Sequence, residues 1–305
     1  CMLFRFGASL PLARLADPAL LAIYLFSALT MVALAVAVTL RTRRRPHGVG
    51  LKDAAFGALV GAFPNAGFMG VPLLVGLYGD AAAGPVIGAI VIDLVVTSTL
   101  CLALAQAESA RAAGDAGQGA AHAAAIALRG ALSNPLPWAI VLGALSAATR
   151  LEPLAPVAQI IRMLGDSASP VALFTIGAVL YRARHHVHAR TPVAHYLPVA
   201  LIKLLVHPAL VFGTGLLAQA LGAPVPTFGL MILTLTAALP SASNVSILAE
   251  RYGADNGRVT RIILLSTVLA FATFSAIAWA FERGRPGEAV STGSGILYTE
   301  YRLVQ

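Results

Sequence analysis

Residues 63–74 read FPNAGFMGVPLL and lie inside an uncharged run, 54–77, that is long enough to span a bilayer. Pro64 falls near the middle of this run. A proline at that position cannot bond the carbonyl four residues earlier, and its ring crowds that carbonyl, at a cost of about 3 kcal/mol in an ordinary helix. Backbone groups freed at membrane depth persist only where protein or a water-filled cavity satisfies them. The stretch therefore predicts either a tolerated kink or a broken helix that lines a site. The small and polar residues that accompany the interruption are Asn65, Gly67 and Gly70.

A second stretch, 239–250, reads LPSASNVSILAE and lies inside another uncharged run, 225–249. Pro240 again falls at mid-span. Two interrupted spans at corresponding places in the two halves of a chain indicate the binding site of a transporter. The sequence therefore predicts a membrane transporter whose site lies between the two interruptions. The short polar residues that follow the second proline are Ser241, Ser243, Asn244 and Ser246.

Composition assigns the chain to the integral membrane proteins. Of its 305 residues, 58% are hydrophobic and 11% are charged, with a mean hydropathy of +0.81, whereas soluble domains carry about 25% charged residues. The net charge of +8 does not indicate nucleic-acid binding, because the basic residues cluster between apolar spans rather than on one face. Arginine outnumbers lysine 19 to 2. This bias, with the abundant alanine, favours a bacterial source, and therefore the bacterial inner membrane.

The distribution of basic residues orients the predicted spans. When the spans alternate in direction, the loops assigned to the cytoplasm hold 13 Lys and Arg residues, whereas the outer loops hold two and the C-terminal tail holds three. This bias agrees with the positive-inside rule. The predicted spans are 18–40, 54–77, 84–107, 134–149, 153–180, 193–220, 225–249 and 262–281.

An internal repeat predicts the architecture. Residues 1–10 match residues 171–180 at five positions with an offset of 170, and the two interrupting prolines are separated by 176. These matches indicate duplication with the second copy inverted, chance agreement between Ala- and Leu-rich helices being the alternative. We expect an all-α membrane protein of 5+5 spans, of which the first span and part of the second are absent here. The predicted units are a truncated first repeat with spans 2–5 (1–107), a cytoplasmic linker (108–133), a second repeat with spans 6–10 (134–283) and a polar C-terminal tail (284–305).

Five motifs in order along the chain resemble the auxin efflux carrier family, and the resemblance extends from Cys1 to Phe281. The short 108–133 segment is similar to that of bacterial members, which include malonate and other organic-acid permeases. The resemblance implies ten spans, two crossing broken helices, and export or exchange of small organic anions. The motifs are FPNAGFMGVPLL at 63–74, SNP at 133–135, SPVALFTIG at 169–177, KLLVHP at 203–208 and LPSASNV at 239–245. By this resemblance, the residues expected to form the two helix breaks are Pro64, Asn65, Gly67, Pro240, Ser243 and Asn244.

Candidate binding residues lie at the two interruptions. A half-helix that begins anew there presents N–H groups without carbonyl partners and a partial positive charge, and both favour an anion. The polar side chains either cap these helix ends or contact the ligand. Gly67 and Gly70 either form part of the site or allow the two segments to pack closely. The predicted substrate-binding residues are Asn65, Gly67, Met69, Ser241, Ser243 and Asn244, with Pro64 and Pro240 as the helix breaks.

Charged residues inside spans are candidates for coupling or charge compensation. Asp93 is the single charge of its span, and a carboxylate at that depth is usually functional or paired. It is predicted to bind or relay a coupling proton or sodium ion. Lys203 either attracts the anion, neutralises Asp93 or Asp166, or extends to the cytoplasmic edge. Asp166 has Arg162 four residues before it, so a surface ion pair is its first interpretation.

Two other function classes compete with this prediction. A cation-coupled symporter of the bile-acid or sodium–proton exchanger type shares crossed broken helices but usually carries acids on them, and neither broken span here has one. An intramembrane enzyme is disfavoured because the sequence has no Gly-x-Ser-x-Gly and no paired acidic or His-rich motif at membrane depth. His185, His186 and His188 are interpreted as part of a solvated basic loop. The predicted partners are the lipid bilayer, a small organic anion and optionally a second copy in a homodimer, without cofactor, metal or nucleic acid.

Overall fold

A computed structural model describes residues 1, 4, 5, 8, 17–41, 49–112, 135–151, 153–167, 171, 174 and 192–283 of the chain. Most of these residues are helical, none of them lies in a strand, and their only bridge between extended segments joins Pro64 to Ser241. The chain is thus an all-α protein over its described part. We label its helices α1 Pro18–Leu40, α2 Leu51–Ala62, α3 Ala66–Tyr78, α4 Asp80–Ala107, α5 Pro135–Thr149, α6 Ala155–Asp166, α7 Leu197–Ala220, α8 Thr227–Ala238, α9 Asn244–Arg251 and α10 Asn256–Arg283.

Four of these helices, α1, α4, α7 and α10, are long and apolar enough to cross a membrane. The start of α1 follows directly from its sequence. The Asp17 side chain accepts hydrogen bonds from the amides of Ala19 and Leu20 at 3.0 and 3.1 Å, and Pro18 occupies the first turn, where no N–H is needed. The helix that includes α4 continues to Ala112, so the first residues of the predicted 108–133 linker are helical.

Both predicted interruptions are present as helix breaks. The first separates α2 from α3 at residues 63–65, and the second separates α8 from α9 at residues 239–243. Turns with positive backbone φ connect each broken pair to the following long helix: Gly79 has φ 80° before α4, and Gly253 has φ 63° before α10. Glycine adopts this conformation at no steric cost.

The leading half of each broken helix lies in the centre of the bundle. Every residue from Ala54 to Ala62 in α2 is buried, and so is every residue from Gly229 to Ala238 in α8. By contrast α1 and α10 expose large apolar side chains, among them Phe26 and Phe271. A helix that is apolar all round belongs in the interior of a bundle, and apolar side chains on an outer helix suit contact with lipid. The packing therefore buries both interruptions inside the protein.

Three of the helices in the described part of the chain contain a widened, π-helical turn. These turns are Ala66–Gly70 in α3, Asp93–Thr97 in α4 and Ile202–Val206 in α7. In α3 and α7 a proline, Pro72 or Pro208, lies two residues beyond the turn. Because proline cannot donate to the carbonyl four residues earlier and its ring crowds that carbonyl, a widened turn just before it relieves both problems. Such turns are common at functional sites.

Candidate functional site

The two helix breaks lie against each other and are joined by backbone hydrogen bonds. The amide of Asn65 donates to the carbonyl of Pro240 at 2.8 Å, and the amide of Ala242 donates to the carbonyl of Phe63 at 3.0 Å. Residues 64 and 241 thus pair in a short antiparallel bridge. Buried backbone polar groups require partners at this depth. Each break therefore donates one backbone hydrogen bond to the other break and accepts one from it.

Two further contacts hold the crossing in place. The amide of Ser241 donates to the hydroxyl of Ser266 on α10 at 3.1 Å. Gly70 permits close approach, since a Cβ added there would lie 2.7 Å from Leu239 Cδ1. Gly67 is different, because nothing lies within 4 Å of the position that its Cβ would take. Of the two glycines singled out in the sequence, Gly70 packs the crossing, whereas Gly67 faces open space.

Two amides near the start of each trailing half-helix have no partner within the described chain. These are the amides of Gly67 and Phe68 at the start of α3, and of Ser243 and Asn244 at the start of α9. Neither residue at the helix starts, Asn65 or Ser243, caps the helix with its side chain. The capping role weighed from the sequence is therefore not seen for these two residues. The donors remain available at the crossing.

Two side-chain oxygens near the crossing are buried without a hydrogen-bond partner. They are the Ser241 hydroxyl and the amide oxygen of Asn244. Buried polar atoms are nearly always bonded in folded proteins, so each exception needs a reason. A ligand or water bound at the crossing would supply the partner.

A pocket opens beside the first break. It encloses about 350 Å³ of empty space, including its open mouth. Asn65, Gly67 and Asn244, predicted to bind substrate, line it, whereas Met69, Ser241 and Ser243 are not among its lining residues. Met69 packs against the hydrophobic core. The complete lining consists of Phe63, Pro64, Asn65, Ala66, Gly67, Phe68, Ile90, Asp93, Leu94, Ala242 and Asn244.

Asp93 belongs to this pocket although it lies on α4 rather than on a broken helix. Its side chain is 1% exposed. The hydroxyl of Tyr24 donates to one carboxylate oxygen at 2.7 Å, and the hydroxyl of Thr97 donates to the other at 3.0 Å. Both donors stabilise a buried carboxylate. At the end of the widened turn Asp93–Thr97, the Asp93 carbonyl accepts from the Ser98 amide and also from the Ser98 hydroxyl, the latter at 2.8 Å.

Lys203 does not extend to the cytoplasmic edge. It is fully buried, and its ammonium donates to the Ala237 carbonyl at 2.7 Å and lies 3.1 Å from His207 Nδ1. Ala237 belongs to the last turn of α8, directly before the second break. A cation at a helix C-terminus is favoured by the helix dipole. Lys203 therefore stabilises the end of the half-helix whose carbonyls the interruption leaves free.

Tyr24 and His207 lie between Asp93 and Lys203, and the four side chains form one buried polar cluster. Neither Tyr24 nor His207 was predicted as a site residue from the sequence. Their rings pack with centroids 5.9 Å apart. The Tyr24 hydroxyl is bonded to Asp93, and the His207 ring lies beside Lys203. The only signal in the sequence was the four-residue spacing of Lys203 and His207, which places both on one helix face. Tyr24 had none, because a single tyrosine in an apolar span is common.

Asp166 lies apart from the pocket. It is exposed at the end of α6 and forms an ion pair of 2.5 Å with Arg5. The four-residue spacing predicted Arg162 as its partner, whereas Arg5 forms the ion pair in the structure. Helical spacing makes an i, i+4 pair available, but a residue distant in sequence occupies the position instead. Asp166 is therefore not near the crossing residues that line the pocket.

Metal ligands do not cluster in the described part of the chain, where no group of three or more His, Cys, Asp or Glu side chains comes together. The three histidines at 185, 186 and 188 lie outside the described residues. So do most of the linker and the C-terminal tail.

These features define a multi-pass membrane protein in which two crossed helix breaks adjoin a pocket lined in part by Asn65, Asp93 and Asn244. Residues 1–279 match the family model described as "Membrane transport protein". The chain belongs to this family. The match confirms the predicted resemblance to the auxin efflux carriers.

A curated relative is similar to this chain over much of its length. It is a protein of Rhizobium meliloti (strain 1021) named "Putative malonate transporter". The two sequences are 29% identical over 233 residues, which cover 76% of this chain and 68% of the relative. Both comparisons point to a transporter rather than to an enzyme.

Proposed function

We propose that this chain is a secondary transporter of a small organic anion, a mono- or dicarboxylate, in the bacterial inner membrane. The observation that carries the proposal is the contact between the two helix breaks, where the Asn65 amide donates to the Pro240 carbonyl at 2.8 Å beside a pocket that Asn65, Asp93 and Asn244 help to line. Irregular backbone at membrane depth is expected only where it is enclosed in protein or lines a cavity. In transporters built on broken helices, such a crossing is where the substrate binds.

The chemistry of the crossing supports an anion. Amides without partners lie near the start of both trailing half-helices, and helix N-termini favour negative charge. The side-chain amides of Asn65 and Asn244 add donors within the same pocket. A carboxylate has four lone-pair positions and can accept from both half-helices at once. Malonate is the first substrate to test, because the similar Rhizobium meliloti protein carries it in its name.

The arrangement of the helices supports the predicted inverted repeat, with units 1–107 and 134–283. The helices that follow the breaks, α4 and α10, begin 176 residues apart, which is also the separation of Pro64 and Pro240. The order of a long helix, a broken helix and a second long helix recurs in both halves. We infer that the crossed breaks move as one body, by an elevator or rocking motion, and expose the pocket to each side in turn.

Substitution of the two pocket asparagines tests the proposal. Purified protein is reconstituted in liposomes, and uptake of labelled malonate and a panel of other dicarboxylates and aromatic acids is measured. We expect N65A and N244A to lower the affinity for the transported acid by about tenfold or more, since a hydrogen bond to a charged group contributes about 1.5–3 kcal/mol. Asn256, which accepts a bond from Ser246 outside the pocket lining, is the matched control. N256A should transport like the unsubstituted protein.

The assignment of the substrate site to the crossing fails if N65A and N244A insert normally and bind the acid as tightly as the unsubstituted protein does. Turnover of a lipid by the purified protein, without uptake of any acid, would favour the enzyme alternative instead. Transport of an acid with unchanged affinity in both variants would keep the transporter but move its site elsewhere.

A further inference from the structure

The pocket proposed to bind an anion also contains a carboxylate. Asp93 lines it together with Asn65 and Asn244 and is 1% exposed. Two like charges close together in a site of low dielectric repel each other strongly. An ionised Asp93 and a bound carboxylate are therefore poorly compatible in the same enclosed space.

The ammonium group of Lys203, the buried lysine of the bundle, does not form an ion pair with Asp93 within the described chain. It instead contacts the Ala237 carbonyl and His207. The other titratable groups around Asp93 are Tyr24 on α1, which donates to it, and Cys101, one turn or more further along α4. Helix α8 has no titratable residue, and those of α2 and α3 are Lys52, Asp53 and Tyr78, at the ends remote from the break. Lys203 compensates Asp93 at a distance but does not cancel the repulsion of a second carboxylate.

We propose that the transporter binds one proton on Asp93 together with each substrate anion, so that it is a proton–carboxylate symporter. A proton from water attaches to a carboxylate oxygen of Asp93, the anion binds to the amides of the crossing, and both leave on the opposite side. A monoanion then crosses with no net charge, and a dianion with one net negative charge. The inference rests on the proposed function and adds its coupling ion.

The surroundings of Asp93 favour a proton over a sodium ion. Both carboxylate oxygens already accept hydrogen bonds, from Tyr24 and Thr97. Carbonyls at the C-terminal ends of half-helices are the groups that coordinate sodium in related architectures. Here the Ala237 carbonyl at such an end is bonded to Lys203. A tethered ammonium thus takes a position that a bound cation would use, whereas a proton requires no additional ligands.

Malonate binding by the purified protein tests the coupling. Its affinity is measured by calorimetry at pH 6, 7 and 8 in sodium-free buffer and again with sodium chloride, and proton uptake is followed with a pH indicator in weak buffer. We expect affinity to rise by up to tenfold for each pH unit lowered, because proton and anion assist each other's binding. D93N should bind malonate with the same affinity at pH 6 and pH 8. The unsubstituted protein should take up about one proton more per bound anion than D93N does. Subtracting the uptake by D93N removes the contribution of malonate itself.

D166N serves as the matched control, since Asp166 is an exposed carboxylate paired with Arg5 away from the pocket. It should keep the pH dependence of the unsubstituted protein. Malonate binding that is independent of pH, or that requires sodium at fixed pH, would overturn the symport inference while leaving the anion site intact. Absence of malonate binding at every pH would overturn malonate as the substrate and this inference with it.

Discussion

At the scale of single residues, the crossing separates glycines that the sequence presents as equivalent. Gly70 contacts Leu239 so closely that a Cβ would meet its side chain at 2.7 Å, whereas a Cβ on Gly67 would project into open space. Both follow Pro64 in one short motif. Their difference depends on what the second broken helix places beside each of them.

A methyl group at Gly67 should therefore obstruct the ligand without disturbing the fold. We expect G67A to keep the free energy of unfolding within about 0.5 kcal/mol of the unsubstituted value, because nothing lies near the new Cβ. Uptake of the transported acid should fall by about tenfold, because the methyl group occupies pocket space. Liposome uptake and thermal unfolding in detergent measure the two effects.

Gly76, which also lies in α3 with nothing within 4 Å of a Cβ, is the control for this substitution. It is not among the residues that line the pocket, so G76A should transport normally. Equal uptake by G67A and G76A would show that the ligand does not approach Gly67.

At the scale of the helix, prolines shape the site through the turns that precede them. Pro208 follows the widened turn Ile202–Val206, within which the His207 amide bonds the Ile202 carbonyl five residues back. That turn contains Lys203. The widened turn contains one residue more than a regular helical turn. Because each residue of an α-helix advances by about 100° around the axis, side chains before this turn point in a different direction than they would in an unbroken α-helix. Lys203 can then contact both His207 and the Ala237 carbonyl.

Replacement of Pro208 tests this account. In P208A the amide of residue 208 can again bond the Leu204 carbonyl, so the helix should gain up to about 3 kcal/mol of stability. Regular α-helix there would turn Lys203 away from the Ala237 carbonyl, and we expect transport to fall by about tenfold or more. Thermal unfolding and malonate uptake are the measurements.

Pro198 provides the comparison within the same helix, because it lies in the first turn, where an amide has no helical partner. P198A should change neither stability nor transport appreciably. Normal transport by P208A would mean that the widened turn persists without the proline, or that the position of Lys203 is unimportant.

At the scale of the whole molecule, one buried arginine ties together elements from both halves. Arg258, at the start of α10, is 2% exposed. Its guanidinium donates to the carbonyls of His195 and Asp53, each at 2.7 Å, and to the hydroxyl of Thr39 at 3.1 Å. Gly57 leaves the space for it, since a Cβ there would lie 2.5 Å from the guanidinium. The ends of α1, α2 and α10 and the turn that precedes α7 thus share one side chain.

Arg258 should therefore determine stability rather than affinity. R258K removes the planar group that serves three acceptors at once, and we expect it to lower the free energy of unfolding by about 3–5 kcal/mol. The affinity for malonate, measured at low temperature, should remain unchanged, because Arg258 is not part of the pocket lining. Thermal unfolding with circular dichroism detects the loss.

Arg283 is the control at the opposite end of α10. It is exposed and stacks over the Trp279 ring at 4.0 Å, so R283K should change the free energy of unfolding by no more than about 1 kcal/mol. An R258K protein as stable as R283K would show that the shared contacts do not hold the halves together.

Features that depend on the covalent chemistry of neighbouring residues could be predicted from the sequence. Proline has no N–H, so the breaks near Pro64 and Pro240 followed from their position in two uncharged spans. The uncharged run 18–40 predicted a span with the bounds that α1, Pro18–Leu40, has in the structure. Composition alone established a helical membrane protein, because only segments of that length and apolarity remain stable in a bilayer.

Only the tertiary structure decided which groups meet. Tyr24 and Asp93 are separated by 69 residues and Lys203 and Ala237 by 34, yet each pair is hydrogen-bonded. Apolar helices in a membrane carry little information about which face meets which neighbour, since both lipid and protein accept the same side chains. The sequence could therefore locate the breaks, whereas the packing of the helices determined that Asp93 joins the pocket, that Asp166 does not, and that Gly67 faces the open space.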